Sequence, residues 1–250
     1  MIPSDYRKSM VEQIKMGDEI DFVVPTGNFG DILAGWYAKQ MGLPVDKLVC
    51  ASNKNNILTD FFETGVYDKR REFYLTKSPS MDILISSNFE RLLWFVSQDD
   101  KYVAQLMDDL KQNGLFEAKD LLARMDDFIG GFASEEDTAN EIKRVFDKQN
   151  YLIDTHTAVA SFVADKIDLP GFMVVLSTAS PYKFCSAVLD ALGTTPDPDD
   201  EFKVLDDLQT ASGTVAPKPL ASLKTAKAHH NNSGNVDQVK ELIKNFLENK

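Results

Sequence analysis

The chain has 250 residues, 43% of them hydrophobic and 10% aromatic, and a formal net charge of −12 at pH 7. This hydrophobic content is enough for a globular core, and the acidic balance argues against general nucleic-acid binding, which needs a basic face. No apolar run approaches the ~18 residues of a membrane span, and the N-terminus lacks a signal-peptide pattern. Cys50 and Cys185 lack metal-ligand spacing, so we expect reduced thiols in a cytoplasmic protein and no metal.

The first part of the chain has a strand–helix–strand pattern. After a helix predicted over residues 6–16, residues 19–24 form an apolar run typical of a strand buried on both faces of a parallel sheet. Residues 31–41 have helical spacing and stop at Gly42, and residues 47–51 predict a second strand. This order implies a right-handed parallel crossover.

Helices dominate the middle of the chain. A helix is predicted over residues 56–63, and Ser78 with Pro79 predicts the capped start of a long helix that continues to Val96. Residues 99–149 predict further helices that are interrupted at Gly130-Gly131. We therefore expect residues 75–149 to be a helical insertion in the sheet domain.

The sheet pattern returns in the last part of the chain. A helix over 155–168 precedes a predicted strand over 172–178, and another helix runs from Ala179 to about Gly193. The composition of residues 194–200 is that of a linker, residues 210–235 predict loop, and residues 236–247 predict a final amphipathic helix.

The loop between the first strand and the first helix is a candidate anion site. Backbone N–H groups at a helix start lie at the positive end of the helix dipole, and Gly27 and Gly30 allow an anion to approach the backbone closely. The spacing matches neither GxxxxGK[ST] nor GxGxxG. Spacing alone therefore leaves two alternatives open, a phosphate-binding loop and an ordinary tight turn.

The loop string Val24-Pro-Thr-Gly-Asn-Phe-Gly-Asp31 resembles the cofactor-phosphate loop of threonine synthases, fold-type II enzymes that use pyridoxal phosphate. Further segments resemble the same family in the same order, and together they cover about residues 10 to 190. These are residues 41–44, 51–53, 58–61, 64–67, 78–93, 154–160 and 176–184.

The resemblance implies an α/β fold with the three-layer parallel-sheet core of a fold-type II pyridoxal phosphate enzyme, present in part and carrying a helical insertion. On this basis, residues 1–74 and 150–193 would form a partial cofactor-binding domain, with residues 75–149 as the insertion. Residues 194–250 would be a linker and a C-terminal helical segment.

The resemblance also implies roles for individual residues. The phosphate of the cofactor would be bound by Gly27, Asn28, Phe29, Gly30 and Asp31. Thr178 would bond the pyridine nitrogen, or would only satisfy the start of the next helix. We expect the carboxylate of Asp31 to point away from the anion and to cap the loop.

Four residues are candidates for the substrate. Ser87, Asn88 and Arg91 would receive the substrate's phosphate, for which arginine geometry is suited, or Arg91 would form structural salt bridges. His156 would either contact the substrate or donate to backbone near a helix cap. Lys183 and His229-His230 are interpreted as structural and solvated, respectively.

The resemblance leaves one catalytic group unaccounted for. In the family, the Schiff-base lysine lies well upstream of the phosphate loop, and the lysines before Gly27, Lys8 and Lys15, do not match its pattern. We therefore expect a C-terminal part of a threonine synthase, a fragment or truncated gene product, inactive alone. We expect it to self-associate or to pair with the N-terminal part.

The implied function is conversion of O-phosphohomoserine and water to threonine and phosphate, a lyase reaction in threonine biosynthesis. Two alternatives stay open: a threonine-synthase-like phospho-lyase acting on a related γ-phosphorylated substrate, and a non-catalytic module that binds phosphate or pyridoxal phosphate.

Overall fold

The computed structural model describes residues 14–197, 199–227, 229 and 232–248. The chain forms two compact units, Met1–Val215 and Ala216–Lys250. Most of the helix predicted over residues 6–16 lies outside the described residues, and residues 14–16 are not helical.

A parallel sheet forms the centre of the first unit. Its strands are β1 (Ile20–Pro25), β2 (Val45–Ser52), β5 (Phe128–Phe132) and β6 (Phe172–Val175), in the order β5-β2-β1-β6. Val23 of β1 pairs with Val49 of β2 on one side and with Val175 of β6 on the other, and Cys50 pairs with Gly130 of β5. A separate antiparallel pair consists of β3 (Val66–Asp68) and β4 (Leu115–Glu117).

Helices cover both faces of the sheet, as a parallel sheet requires. On one face, Val24, Leu48 and Cys50 pack with residues of α1 (Gly30–Gln40), α2 (Ile57–Thr64), α3 (Phe89–Ser97) and α4 (Asp100–Gln112). On the other face, Val23, Val49 and Ala51 pack against Val159, Ala160 and Val163 of α7 (Thr155–Ala164). The predicted α/β parallel-sheet fold class is confirmed.

The remaining helices are short or amphipathic. They are α5 (Lys119–Leu122), α6 (Glu135–Gln149), α8 (Cys185–Ala191) and α9 (Glu201–Ser212) in the first unit, with α10 (Lys218–Ala221) and α11 (Val239–Glu248) in the second. The predicted final helix corresponds to α11 and the turn before it. No helix among the described residues combines the length and apolar character that a membrane crossing requires.

Two predicted helical segments are wrong. Residues 99–149 were predicted to be helices interrupted only at Gly130-Gly131, whereas residues 128–132 form the strand β5, which pairs with β2 in the central sheet. The long helix predicted from Ser78 is a single 3-10 turn over Pro79–Met81, and the α-helix begins only at Phe89. Between Met81 and Phe89 the backbone is not helical, and polar side chains of this segment form hydrogen bonds with neighbouring loops.

Candidate functional site

A cleft of about 290 Å³ lies at the carboxyl ends of β1 and β6. Ligands of open parallel α/β sheets characteristically bind at this edge. The cleft is lined by every residue from Pro25 to Ile32, together with Ser80, Met81, Asn88, His156 and Thr178. Predicted cofactor residues 27–31 and Thr178 therefore face one cavity, although they come from distant parts of the chain.

The glycine loop connects β1 directly to α1. Phe29 takes a left-handed backbone conformation with φ of 62°, and its ring is buried against Phe62, Phe89 and Phe128. Within the described part of the chain, the backbone N–H groups of residues 27–32 donate to no protein acceptor. The loop thus presents unpaired donors at the positive end of a helix dipole, which is the arrangement that binds phosphate groups.

Gly27 permits a close backbone contact inside the cleft. A Cβ atom on Gly27 would lie 2.9 Å from Cα of Met81 and 3.1 Å from the carbonyl oxygen of Ser80. The Ser86 hydroxyl donates to the carbonyl of Gly27 at 2.9 Å, and the Asn88 amide donates to the carbonyl of Asn28 at 2.8 Å. These bonds engage the carbonyl groups of the loop and leave its N–H groups available to a ligand.

Asp31 was predicted to cap the loop, and this detail is wrong. The N-cap residue of α1 is Phe29, whose side chain makes no capping hydrogen bond, and Asp31 is solvent-exposed in the first turn of the helix. Exposure keeps its carboxylate hydrated and reduces its repulsion of an anion bound at the N–H groups.

A polar cluster that the sequence analysis did not identify holds the opposite wall of the cleft. Asn53 donates to Oδ1 of Asp82 at 2.8 Å and to the Ser78 hydroxyl at 3.0 Å, and Asn55 donates to the same Oδ1 at 3.0 Å. The Thr76 N–H donates to Oδ2 of Asp82 at 2.9 Å. These bonds fix the segment that carries Ser80 and Met81. The available signal was the pair of asparagines directly after a buried strand.

His156 has protein partners at both nitrogens of its ring. Its Nδ1 lies 3.1 Å from Oδ1 of Asp154, and its Nε2 accepts the backbone N–H of Ser80 at 3.2 Å. Because the Ser80 N–H is a donor, Nε2 carries no proton, so the ring is the neutral tautomer that donates from Nδ1. Both nitrogens of His156 are thus engaged, which favours its structural alternative over a substrate contact.

Asp154 is fully buried at the start of α7. Burial disfavours its charged form, but hydrogen bonds from His156 and Thr157 outweigh this effect and lower the pKa of the carboxyl. A buried carboxylate of this kind is paired and oriented rather than free.

The substrate-phosphate candidates lie at the mouth of the cleft. Asn88 lines the cleft, while Ser87 is exposed, with its hydroxyl 3.5 Å from the side-chain oxygen of Asn28. Arg91, in the first turn of α3, is exposed and donates to the side-chain oxygen of Asn88. Arg91 therefore contacts the site through Asn88 rather than by lining the cleft itself.

Comparison with known proteins supports one family. The family model described as "Threonine synthase, C-terminal" matches residues 157–243. Threonine synthase from Saccharomyces cerevisiae is 36% identical over 255 residues, an alignment that covers 94% of this chain and 47% of the yeast protein. The chain belongs to the threonine synthase family.

Two further members of the family extend the match. Threonine synthase-like 1 from Macaca fascicularis is 42% identical over 184 residues, which cover 72% of this chain and 25% of that protein. The crystal structure of a pyridoxal-phosphate-bound threonine synthase from Brucella melitensis superimposes with a TM-score of 0.70 at 38% identity, covering 84% of this chain and 50% of that one. The chain thus spans half or less of each of these relatives and corresponds to the C-terminal portion of threonine synthase.

Proposed function

We propose that this chain supplies the cofactor-phosphate side of the active site of a pyridoxal-phosphate-dependent threonine synthase. The observation that carries the proposal is the glycine loop, whose N–H groups at residues 27–32 have no protein acceptor among the described residues. The reaction is a lyase-type conversion of O-phosphohomoserine and water to threonine and phosphate, and we place the protein in the cytoplasm.

The residues of the cleft fit pyridoxal phosphate. The backbone N–H groups of Gly27, Asn28, Phe29, Gly30 and Asp31 would bind its phosphate, since a helix N-terminus with a close backbone approach suits a dianion. Thr178, which lines the same cleft, would bond the pyridine nitrogen. When bound, pyridoxal phosphate supplies an electron sink for breaking bonds at the carbon atoms of the substrate.

The side chains of this chain orient the reactants. The Thr178 hydroxyl is neutral, so it can bond the ring nitrogen without forcing that atom to stay protonated, as a carboxylate would. At the mouth of the cleft, Asn88 and Ser87 offer an amide and a hydroxyl to the substrate's phosphate. Arg91 orients Asn88 by donating to its side-chain oxygen and adds positive charge beside that phosphate.

We further propose that the lysine that reacts with the cofactor comes from the part of the relatives that this chain does not match. Among the described residues that line the cleft, none is a lysine. In this proposal the chain alone is inactive, and pairing with an N-terminal part completes the site. The edge strand β6, whose side chains are half-buried, offers backbone groups for such pairing or for self-association.

A second candidate is a related lyase that acts on another γ-phosphorylated substrate. The 42% identity to threonine synthase-like 1 supports this second candidate, because the identity of this relative to the chain is as high as that of the threonine synthases over the matched part. The two candidates share the cofactor site and differ in the γ-phosphorylated substrate on which they act.

The proposal is tested by combining the full chain with the N-terminal half of the yeast relative. With pyridoxal phosphate and O-phosphohomoserine, we expect phosphate and threonine in equal amounts from the mixture and none from either part. Borohydride reduction followed by peptide mass spectrometry should find the pyridoxyl-lysine on the N-terminal half. A specific adduct on this chain would contradict the assignment of the lysine, and phosphate without threonine would favour the related lyase.

A further inference from the structure

Asp154 lies at a branch point of hydrogen bonds at the start of α7. Its carboxylate is fully buried and accepts the backbone N–H groups of His156 at 2.8 Å and Thr157 at 3.4 Å. These bonds make it the N-cap of the helix. The side chains of His156 and Thr157 also form hydrogen bonds with the carboxylate. Each of these side chains has a second polar contact, and the two contacts lie at or beside different parts of the cleft lining.

The first branch reaches the wall opposite the glycine loop. Oδ1 of Asp154 accepts from Nδ1 of His156 at 3.1 Å, and Nε2 of His156 accepts the Ser80 N–H at 3.2 Å. The Ser80–Met81 backbone in turn packs directly on Gly27. The carboxylate therefore fixes the tautomer of the imidazole, and the imidazole fixes the position of the segment that closes on the phosphate loop.

The second branch reaches the other end of the cleft. The Thr157 hydroxyl donates to Oδ2 of Asp154 and lies 3.2 Å from the Ser177 hydroxyl. Ser177 directly precedes Thr178, which lines the cleft. One carboxylate is therefore linked through His156 to the segment that packs on the phosphate loop. Through Thr157 it is linked to Ser177, the neighbour of the residue proposed for the ring nitrogen.

We propose that Asp154 is a positioning residue that sets the separation of the two walls, Ser80–Met81 and Thr178, and thereby the affinity of the cleft for pyridoxal phosphate. The identity of the ligand rests on the proposed function, whereas the link from Asp154 to Ser80 does not. The lowered pKa of the Asp154 carboxyl agrees with this role, because it keeps the acceptor charged.

A helix cap without a positioning role would behave differently, and the chain contains a matched control. Asp99 caps α4 in the same way, accepting from the N–H groups of Lys101 and Tyr102, and it does not line the cleft. Asp154→Ala and Asp99→Ala each remove one cap, which lowers the stability by about 1 kcal/mol, and Asp154→Ala costs more because it also leaves the buried His156 and Thr157 side chains without their acceptor. Only Asp154→Ala should alter the cleft.

The first readout is hydrogen exchange at the Ser80 amide, followed by NMR on the full chain without any ligand. We expect faster exchange in Asp154→Ala and in His156→Leu, which lacks the acceptor. Exchange should stay slow in Asp99→Ala and in His156→Gln, whose side-chain oxygen can replace Nε2 as acceptor. Unchanged Ser80 exchange in a folded Asp154→Ala would overturn the first branch.

The second readout is the Kd for pyridoxal phosphate of the full chain combined with the N-terminal half of the yeast relative. We expect roughly tenfold weaker binding in Asp154→Ala and His156→Leu, in the range that loss of buried hydrogen-bond partners produces. Thr157→Val, which cuts only the second branch, should weaken binding while leaving Ser80 exchange slow. Equal Kd values for Asp154→Ala, Asp99→Ala and the unchanged protein would overturn the proposal.

The two readouts separate this inference from the proposed function. If the unchanged protein does not bind pyridoxal phosphate, the cofactor assignment and the claim on affinity both fail. The Ser80 exchange rates then still decide whether Asp154 positions this wall of the cleft.

Discussion

Gly27 and Met81 are in direct backbone contact across the cleft, so closely that a Cβ atom on Gly27 would lie 2.9 Å from Cα of Met81. A flexible side chain could move away from such an atom, but here the neighbour is main chain, and the polar cluster of Asn53 and Asp82 holds it in place. The contact fixes one wall of the cleft against the other.

We predict that Gly27→Ala forces the two walls apart. Overpacking of this kind costs about 1–3 kcal/mol, and the displaced loop should bind pyridoxal phosphate more weakly. Urea unfolding gives the first quantity, and titration of the full chain together with the N-terminal half of the yeast relative gives the second. The matched control is Gly35→Ala in α1, where the new Cβ meets only the end of the Leu48 side chain at 3.2 Å. Equal effects of the two substitutions would contradict the prediction.

Phe29 links the phosphate loop to the core. Its ring is 1% exposed and lies edge-on to Phe89 at 5.1 Å, while its backbone holds the left-handed conformation before α1. We predict that Phe29→Ala lowers the free energy of unfolding by about 3–5 kcal/mol and also weakens binding of the cofactor's phosphate, because the ring no longer anchors the strained residue.

Phe61→Ala is the control for this prediction. Phe61 is fully buried in α2 and contacts Phe89 at a centroid distance of 4.8 Å, but it does not line the cleft. It should lower stability to a similar extent and leave the affinity of the folded protein unchanged. Urea unfolding and pyridoxal phosphate titration at a temperature where both variants are folded would separate the two effects.

The acid stability of the protein should depend on Asp154. Its pKa is lower in the folded protein than the ~3.9 of an unfolded chain, owing to hydrogen bonds that outweigh burial. The resulting stabilisation is fully present above the unfolded pKa and is lost as the pH falls through the folded pKa. Asp154→Asn keeps a capping side chain, so the stability difference between it and the unchanged protein should be full at pH 6 and should shrink as the pH falls below the ordinary pKa of aspartate.

Asp68 provides the comparison for this pH series. The Arg70 guanidinium lowers the pKa of Asp68 to about 2, but the side chains of the pair reach solvent, with 57% of Arg70 and 32% of Asp68 exposed. Exposed pairs contribute little and are screened by salt. Any effect of Asp68→Asn should therefore vanish in about 1 M NaCl, where the Debye length is about 3 Å, whereas the effect of Asp154→Asn should persist.

Cys50 should be unreactive in the folded protein. Burial raises the pKa of its thiol to about 12, despite the neighbouring hydroxyl groups of Thr26 and Ser52, which act in the opposite direction. We predict that in Cys185→Ser, which leaves Cys50 as the single cysteine, a disulfide reagent at pH 8 reacts only after denaturant is added. Rapid labelling without denaturant would show that β2 opens in the native state.

The sequence correctly predicted those elements whose local residue pattern indicates the same secondary structure that they adopt in the packed fold. The β1–α1–β2 unit has apolar runs, turn glycines and a helical period that all indicate the same elements. It missed β5, because Gly130 and Gly131 are typical of a break. In the structure, a Cβ on Gly130 would lie 2.9 Å from Cα of Thr59, and one on Gly131 would lie 2.6 Å from Val163. Glycine is needed at both positions because β5 lies between two closely packed helices, which leave no space for a larger side chain.

The cleft was predicted in part for a similar reason. Residues 27–31 follow the first predicted strand and Thr178 ends the last one, so their shared edge of the sheet could be expected. The segment over the cleft was predicted as helix from its apolar period, but Asp82 accepts bonds from Asn53, Asn55 and Thr76 instead. Asn53 and Asn55 are distant from Asp82 in the chain, and no local pattern indicates that they meet it. The same is true of the bond between His156 and Ser80.

The contact between Gly27 and Met81 also couples ligand binding to folding. The anion site forms only when segments that are far apart in the chain have packed against each other, so an unfolded chain offers no equivalent site. Any anion that binds there must raise the melting temperature by mass action, with about 2.7 kcal/mol of added stability at a ligand concentration of 100 times Kd. A thermal shift with inorganic phosphate therefore reports whether this anion site is correctly formed, and the measurement requires no partner chain, substrate or catalytic turnover.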